Sequence, residues 1–142
     1  MLPGQRAPME KIITLAYLTK IKKEIAALDY SAPSSEAEEK KESHLPEQIG
    51  TVDGFKIVVV DGNQVKLQHN MDFVEGNNFA ESPEYIPHGQ VWIDADMDED
   101  DWQAVCLHEV TETRLMQHGW IYDDAHEVAN MQEKQFRLEQ GA

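Results

Sequence analysis

The sequence predicts an α+β fold: a small antiparallel sheet, a helical hairpin, and a helix at the N-terminal end. Three observations predict it. Apolar residues recur at three- and four-residue spacing over residues 8–28. A β-branched run, Phe55-Lys56-Ile57-Val58-Val59-Val60, lies between two tight-turn signals, Asp53-Gly54 and Asp61-Gly62-Asn63. Two helical stretches, 98–118 and 123–140, are separated by Gly119. At 142 residues and 41% hydrophobic content the chain can build one core.

The first helix carries Ile12, Ile13, Leu15, Ala16, Leu18, Ile21, Ile25 and Leu28 on one side, with Lys20, Lys22, Lys23 and Glu24 mostly on the other. Composition then shifts. Residues 31–42 contain no large apolar side chain and read as a linker that leaves the first helix loosely tethered. The chain therefore divides into a helix over 1–30, a flexible polar linker over 31–47, and a domain over 48–142. In that domain the pattern changes to period two. Val65 and Leu67 alternate with Gln64, Lys66 and Gln68, which predicts a meander of two or three antiparallel strands. Residues 70–89 form a long connection, and loops of that length are often functional. Val91-Trp92-Ile93-Asp94 reads as a short strand. The acidic run 96–101 suits the N-terminus of the helix that follows, and Asp123 can cap the second helix of the hairpin.

Net charge is −15, which argues against a nucleic-acid backbone as partner. The plain meaning of the excess is solubility. It also suits a basic protein partner, a mimic of nucleic acid, or a cation site ringed by carboxylates. No apolar run approaches the ~20 residues that span a bilayer, so no membrane is expected. Residues 1–8 lack the apolar stretch of a secretory signal. One cysteine, Cys106, excludes an internal disulfide. A cytoplasmic protein is the expectation.

The segment Leu107-His108-Glu109-Val110-Thr111-Glu112 carries the chemistry. His108 and Glu112 are one helical turn apart and share a face. On a helical wheel Leu115, Ala104, Thr111 and Val105 fall within about 60 degrees of His108, so both polar groups sit inside the apolar stripe. Thr113 and Gln103 lie on the far side, and Cys106 is about 160 degrees away. A buried carboxylate must be paired or coordinate a metal. Zinc at a catalytic site takes three protein ligands and keeps one position open. His108 and Glu112 supply two, and the second helix offers His126 and Glu133. Counting depth from the midpoint of His108 and Glu112 along ideal antiparallel helices puts the partner level near Met131 and favours Glu133, since His126 is about 7 Å nearer the turn than that level. Ligand chemistry favours His126. One can ligate while the other supports a ligand from behind. Glu109, at the edge of the cleft, can take a proton from a water that the metal activates. Two other readings stay open: a hydrogen-bonded His108–Glu112 pair that orients two helices, and a metal that only fixes the hairpin.

This segment, with the strand 91–94 ahead of it, resembles the active-site region of zincin-like metallopeptidases. The run Tyr122-Asp123-Asp124-Ala125-His126-Glu127-Val128-Ala129 resembles small peptidase-like proteins of bacteria and their phages, where an H-E-x-x-E helix precedes an A-H helix. The likeness covers residues 91–133. It implies a zincin-like fold and a zinc ion held by His108, Glu112 and His126, with Glu109 as general base acting on a peptide or protein substrate. Most zincins have a second histidine where Glu112 stands. A carboxylate there also suits Mn2+ or Fe2+. His88, in the loop ahead of the strand, is the candidate donor to the oxyanion. The expected function is a zinc-dependent peptidase or amidase. The alternative is a non-enzymatic acidic binding or regulatory protein.

Overall fold

A computed structural model describes residues 6–30 and 45–141. The expected linker lies mostly outside the described residues, and Glu47 already begins a strand. The elements are α1 (Met9–Ile12), α2 (Leu15–Ala26), β1 (Glu47–Val52), β2 (Phe55–Val60), α3 (Gly62–Gln68), β3 (Gly76–Asn78), β4 (Gln90–Asp94), α4 (Trp102–Gln117) and α5 (Tyr122–Gly141).

The single N-terminal helix is two. The backbone leaves the helical region at Ile13 (φ −103, ψ 70). Thr14 then starts α2 as a new N-cap, its hydroxyl accepting from the Tyr17 amide at 3.0 Å. The restart turns Leu15 out to solvent at 82% exposure and brings Tyr17 in with Ile21 and Ile25. These residues join the same core as Ile57, Val91, Leu107 and Val110. The first helices are thus packed on the rest of the molecule and not loosely tethered to it.

β1 and β2 form the expected hairpin, with Val52 opposite Phe55 across the Asp53-Gly54 turn. The expected third strand is a helix. The Asp61 carboxylate accepts from the amides of Asn63 and Gln64, at 3.0 and 3.3 Å, and caps α3. What reads as a turn is a helix start. Only Val65 of the two alternating apolar residues is buried, and Leu67 is 80% exposed. This crossover returns the chain so that β4 pairs parallel with β2, while β3 pairs antiparallel with β4. The sheet, ordered β1-β2-β4-β3, is therefore mixed and not antiparallel throughout.

Alternation along β2 sorts the two faces. Phe55 and Ile57 enter the main core, whereas Val58 and Val60 meet Val65 and Phe73 on the other face. The main core holds α4, which is buried over nearly its whole length from Trp102 to Leu115. α4 ends in a Schellman motif: Gly119 (φ 89) donates to Met116 at 3.1 Å, and Trp120 donates to Leu115 at 3.1 Å. The turn sends α5 back along α4. Among the described residues no helix is long and apolar enough to cross a membrane.

Candidate metal centre

α4 presents His108 and Glu112 from adjacent turns, and α5 brings His126 to them. His108 Nε2 lies 3.2 Å from Glu112 Oε2, and His126 Nδ1 lies 3.0 Å from the same oxygen. The two rings meet edge to face, 4.9 Å between centroids. One donor atom from each of the three residues can be chosen so that all lie within 4.8 Å of one another. Two donors bound at about 2.0–2.1 Å to one tetrahedral zinc ion stand roughly 3.3 Å apart. The two short contacts match that edge. Two imidazoles and one carboxylate are also a donor set that zinc accepts. The residues present fit a zinc ion, and Mn2+ or Fe2+ by the same donor chemistry.

Glu133 stands behind His108. Its Oε1 lies 3.0 Å from His108 Nδ1, a close charge contact without hydrogen-bond alignment. Its other oxygen accepts from Arg137 Nε at 3.0 Å, and Arg137 reaches on to Asp101 at 2.6 Å. The i, i+4 pair of Glu133 with Arg137 is one link of this chain of charges. Tyr122 stacks on the His126 ring at 5.1 Å, its hydroxyl 3.3 Å from Nδ1.

Glu109 is buried beside the pair rather than at an exposed edge. Asn78, from β3, donates through Nδ2 to Glu109 Oε1 and to Glu112 Oε1, both at 3.0 Å. The Asn78 carbonyl accepts from the Glu81 amide at 3.0 Å, which sets the amide's orientation. Glu81, Glu109 and Glu112 bring carboxylate oxygens within 4.8 Å of one another. Thr113, placed on the wet side by the wheel, is buried and donates to the Glu109 carbonyl at 2.6 Å.

Protonation follows from this crowding. Burial, then the Glu112 charge, pushes Glu109 up to about 8. The same two causes push Glu81 up to about 7. Glu112 is also disfavoured by burial, but its hydrogen bonds with His108 and His126 outweigh that and hold it below the usual carboxylate range. Burial works against a charged His108, yet Glu112 and Glu133 raise it to about 10.

A cleft of about 280 Å³ opens over these groups. His88 does not line it. His88 packs on Phe79, 4.7 Å between rings, and lines a different cavity with Tyr85 and Pro87. The oxyanion assignment for His88 therefore has no support in its position. Cys106 is fully buried, and burial raises its thiol. Three residues of the site were not legible as such: Asn78 and Glu81 lie in the long connection, where no spacing marks them. Tyr122 stands one turn before His126, and that i, i+4 relation could have marked it. Comparison with protein-family models, with curated proteins and with solved structures finds no match to this chain.

Proposed function

We propose that the chain is a zinc-dependent hydrolase acting on a peptide or amide bond. The observation that carries this reading is the convergence of His108, Glu112 and His126 at tetrahedral edge distances, 3.2 and 3.0 Å, in the wall of an open cleft beside a buried Glu109. The likeness of Leu107–Glu112 to zincin-like metallopeptidases points the same way. His108, Glu112 and His126 would hold the ion. Bound zinc supplies a Lewis acid that polarises a carbonyl and makes a water easier to deprotonate. Glu133, 3.0 Å from His108 Nδ1, would support that ring by charge from behind, the place carboxylates take at metal-ligating histidines. Glu109 takes the proton from water and returns it to the leaving amine. Its elevated value of about 8 suits a base, and a dication in front of it would draw that value toward neutrality.

The contacts of His108 with Glu133 and of Glu112 with His126 also make a clamp between α4 and α5, which is what a non-enzymatic reading would use. Metal content separates the two. Purified protein analysed for elements should carry about one equivalent of zinc, or of manganese or iron, per chain. His108→Ala should lose it, and metal retained by that variant would remove the site. Glu109→Gln should keep the metal while hydrolysis falls by about a hundredfold or more. Equal hydrolysis by Glu109→Gln and the parent would rule out the base.

A further inference from the structure

Among the described residues six carboxylates line the cleft, those of Asp72, Glu75, Glu81, Glu109, Glu112 and Glu133, and no lysine or arginine does. Four have groups against them already: Glu112 faces the two imidazoles, Glu133 meets His108 and Arg137, Asn78 holds Glu109, and Glu81 has a carboxylate oxygen within 4.8 Å of oxygens of Glu109 and Glu112. Asp72 and Glu75 do not. Among the described residues neither meets a cationic side chain. Both are exposed, in the stretch between α3 and β3. Their neighbours are informative. Met71 and Val74 are 71% and 66% exposed, an unusual outlay of apolar surface beside an acidic cleft. The lip thus offers two uncompensated negative charges interleaved with two bare hydrophobic side chains.

We propose that this lip binds a cationic, amphipathic peptide segment, a lysine or arginine meeting Asp72 and Glu75 while an apolar neighbour covers Met71 and Val74. The segment would be the substrate of the cleft, which rests on the hydrolase reading; the binding itself does not. A cation at that place is compensated by charge, and an anion is repelled by Asp72 and Glu75. Apolar contact removes the exposed methionine and valine from water. Binding should weaken with salt, because exposed charges are screened.

The test uses the full chain and short fluorescein-labelled peptides, read by anisotropy. One alternates lysine with leucine, one glutamate with leucine, one lysine with serine. The lysine–leucine peptide should bind at least about tenfold tighter than either other. Asp72→Asn with Glu75→Gln should lose about tenfold for that peptide. Glu10→Gln with Glu47→Gln removes the same charge from exposed positions off the cleft and should leave binding within about twofold. Equal losses in the two double variants would overturn the lip as the site, since diffuse negative charge would then suffice. Equal binding of the glutamate–leucine peptide would overturn the cationic preference. Selective binding by zinc-loaded protein without cleavage would support the lip and remove the hydrolase reading.

Discussion

An imidazole buried in a protein ordinarily sheds its proton, because its cation is stripped of water. His108 does the reverse: burial lowers it, but Glu112 at Nε2 and Glu133 at Nδ1 hold it at about 10. Without a metal it is an imidazolium at neutral pH. A protonated nitrogen cannot ligate, so metal uptake must expel that proton. The sign follows. Below about pH 10 protons compete with zinc, and raising the pH favours zinc. Chelator-stripped protein titrated with zinc by calorimetry, in buffers of differing ionisation enthalpy, should release at least about one proton at neutral pH. Affinity should rise about tenfold per pH unit across neutrality. A pH-independent affinity with no proton release would show that His108 is neutral before the metal arrives. His108 and Glu112 could be read from the chain because helical periodicity fixes which side chains share a face, whereas His126 stood beside Glu133 and rested on ligand chemistry and the family resemblance. Asn78 could not: it reaches Glu109 and Glu112 across thirty-one and thirty-four positions, and only the packing of β3 on α4 decides that approach.

Depth along the hairpin explains why Glu133 and His126 competed on paper. Glu112 lies seven residues before Gly119, and His126 seven after it; His108 lies eleven before and Glu133 fourteen after. An antiparallel hairpin sets residues at matching depth side by side. Glu112 therefore meets His126, and His108 meets Glu133. Averaging His108 and Glu112 into one midpoint hid two separate levels. The strand assigned to 64–68 failed for another reason: two alternating apolar residues are too few to outweigh an Asp61 N-cap. The mixed sheet follows from that helix, since a helical crossover permits the parallel β2–β4 pair. β3 then rests on α4 through Gly76. A Cβ there would stand 3.0 Å from the Trp92 carbonyl and 3.2 Å from Glu109 Cγ. The Trp92 carbonyl belongs to β4 and cannot yield as a side-chain end can, so β3 must shift against β4, and Glu109 on α4 must move. Gly76→Ala should cost about 1–3 kcal/mol in urea denaturation. It should also lower hydrolysis more than zinc affinity, because the crowded neighbour is the proposed base rather than a proposed ligand. Parent-like stability and turnover would show that β3 does not hold Glu109 in place.

Composition suggested a molecule in two parts, and the packing joins them. Ile21 and Ile25 of α2 are 0% and 1% exposed, within the core that contains α4. Arg114 of α4 reaches Asp53 in the β1–β2 turn at 3.2 Å and lies over the Tyr17 ring at 4.3 Å. Tyr30, beyond α2, stacks on Trp102 at 4.9 Å, and the Met97 amide donates to its hydroxyl at 3.2 Å. The polar composition of residues 31–42 says nothing about these contacts, which the segments on either side of it make. Removing buried methyl groups from α2 should therefore weaken the whole molecule and not merely undock a helix. Ile25→Ala should cost about 2–5 kcal/mol, since it leaves a cavity at a fully enclosed position. In urea, far-ultraviolet dichroism and tryptophan fluorescence should move together to a lower midpoint with an unchanged slope. Zinc binding should vanish in that same transition, because α4, which carries His108 and Glu112, packs on the same core. A helix that instead detached by itself would give an early dichroism step with zinc still bound. The N-terminal helices would then be an accessory to the site rather than part of what holds α4 in place.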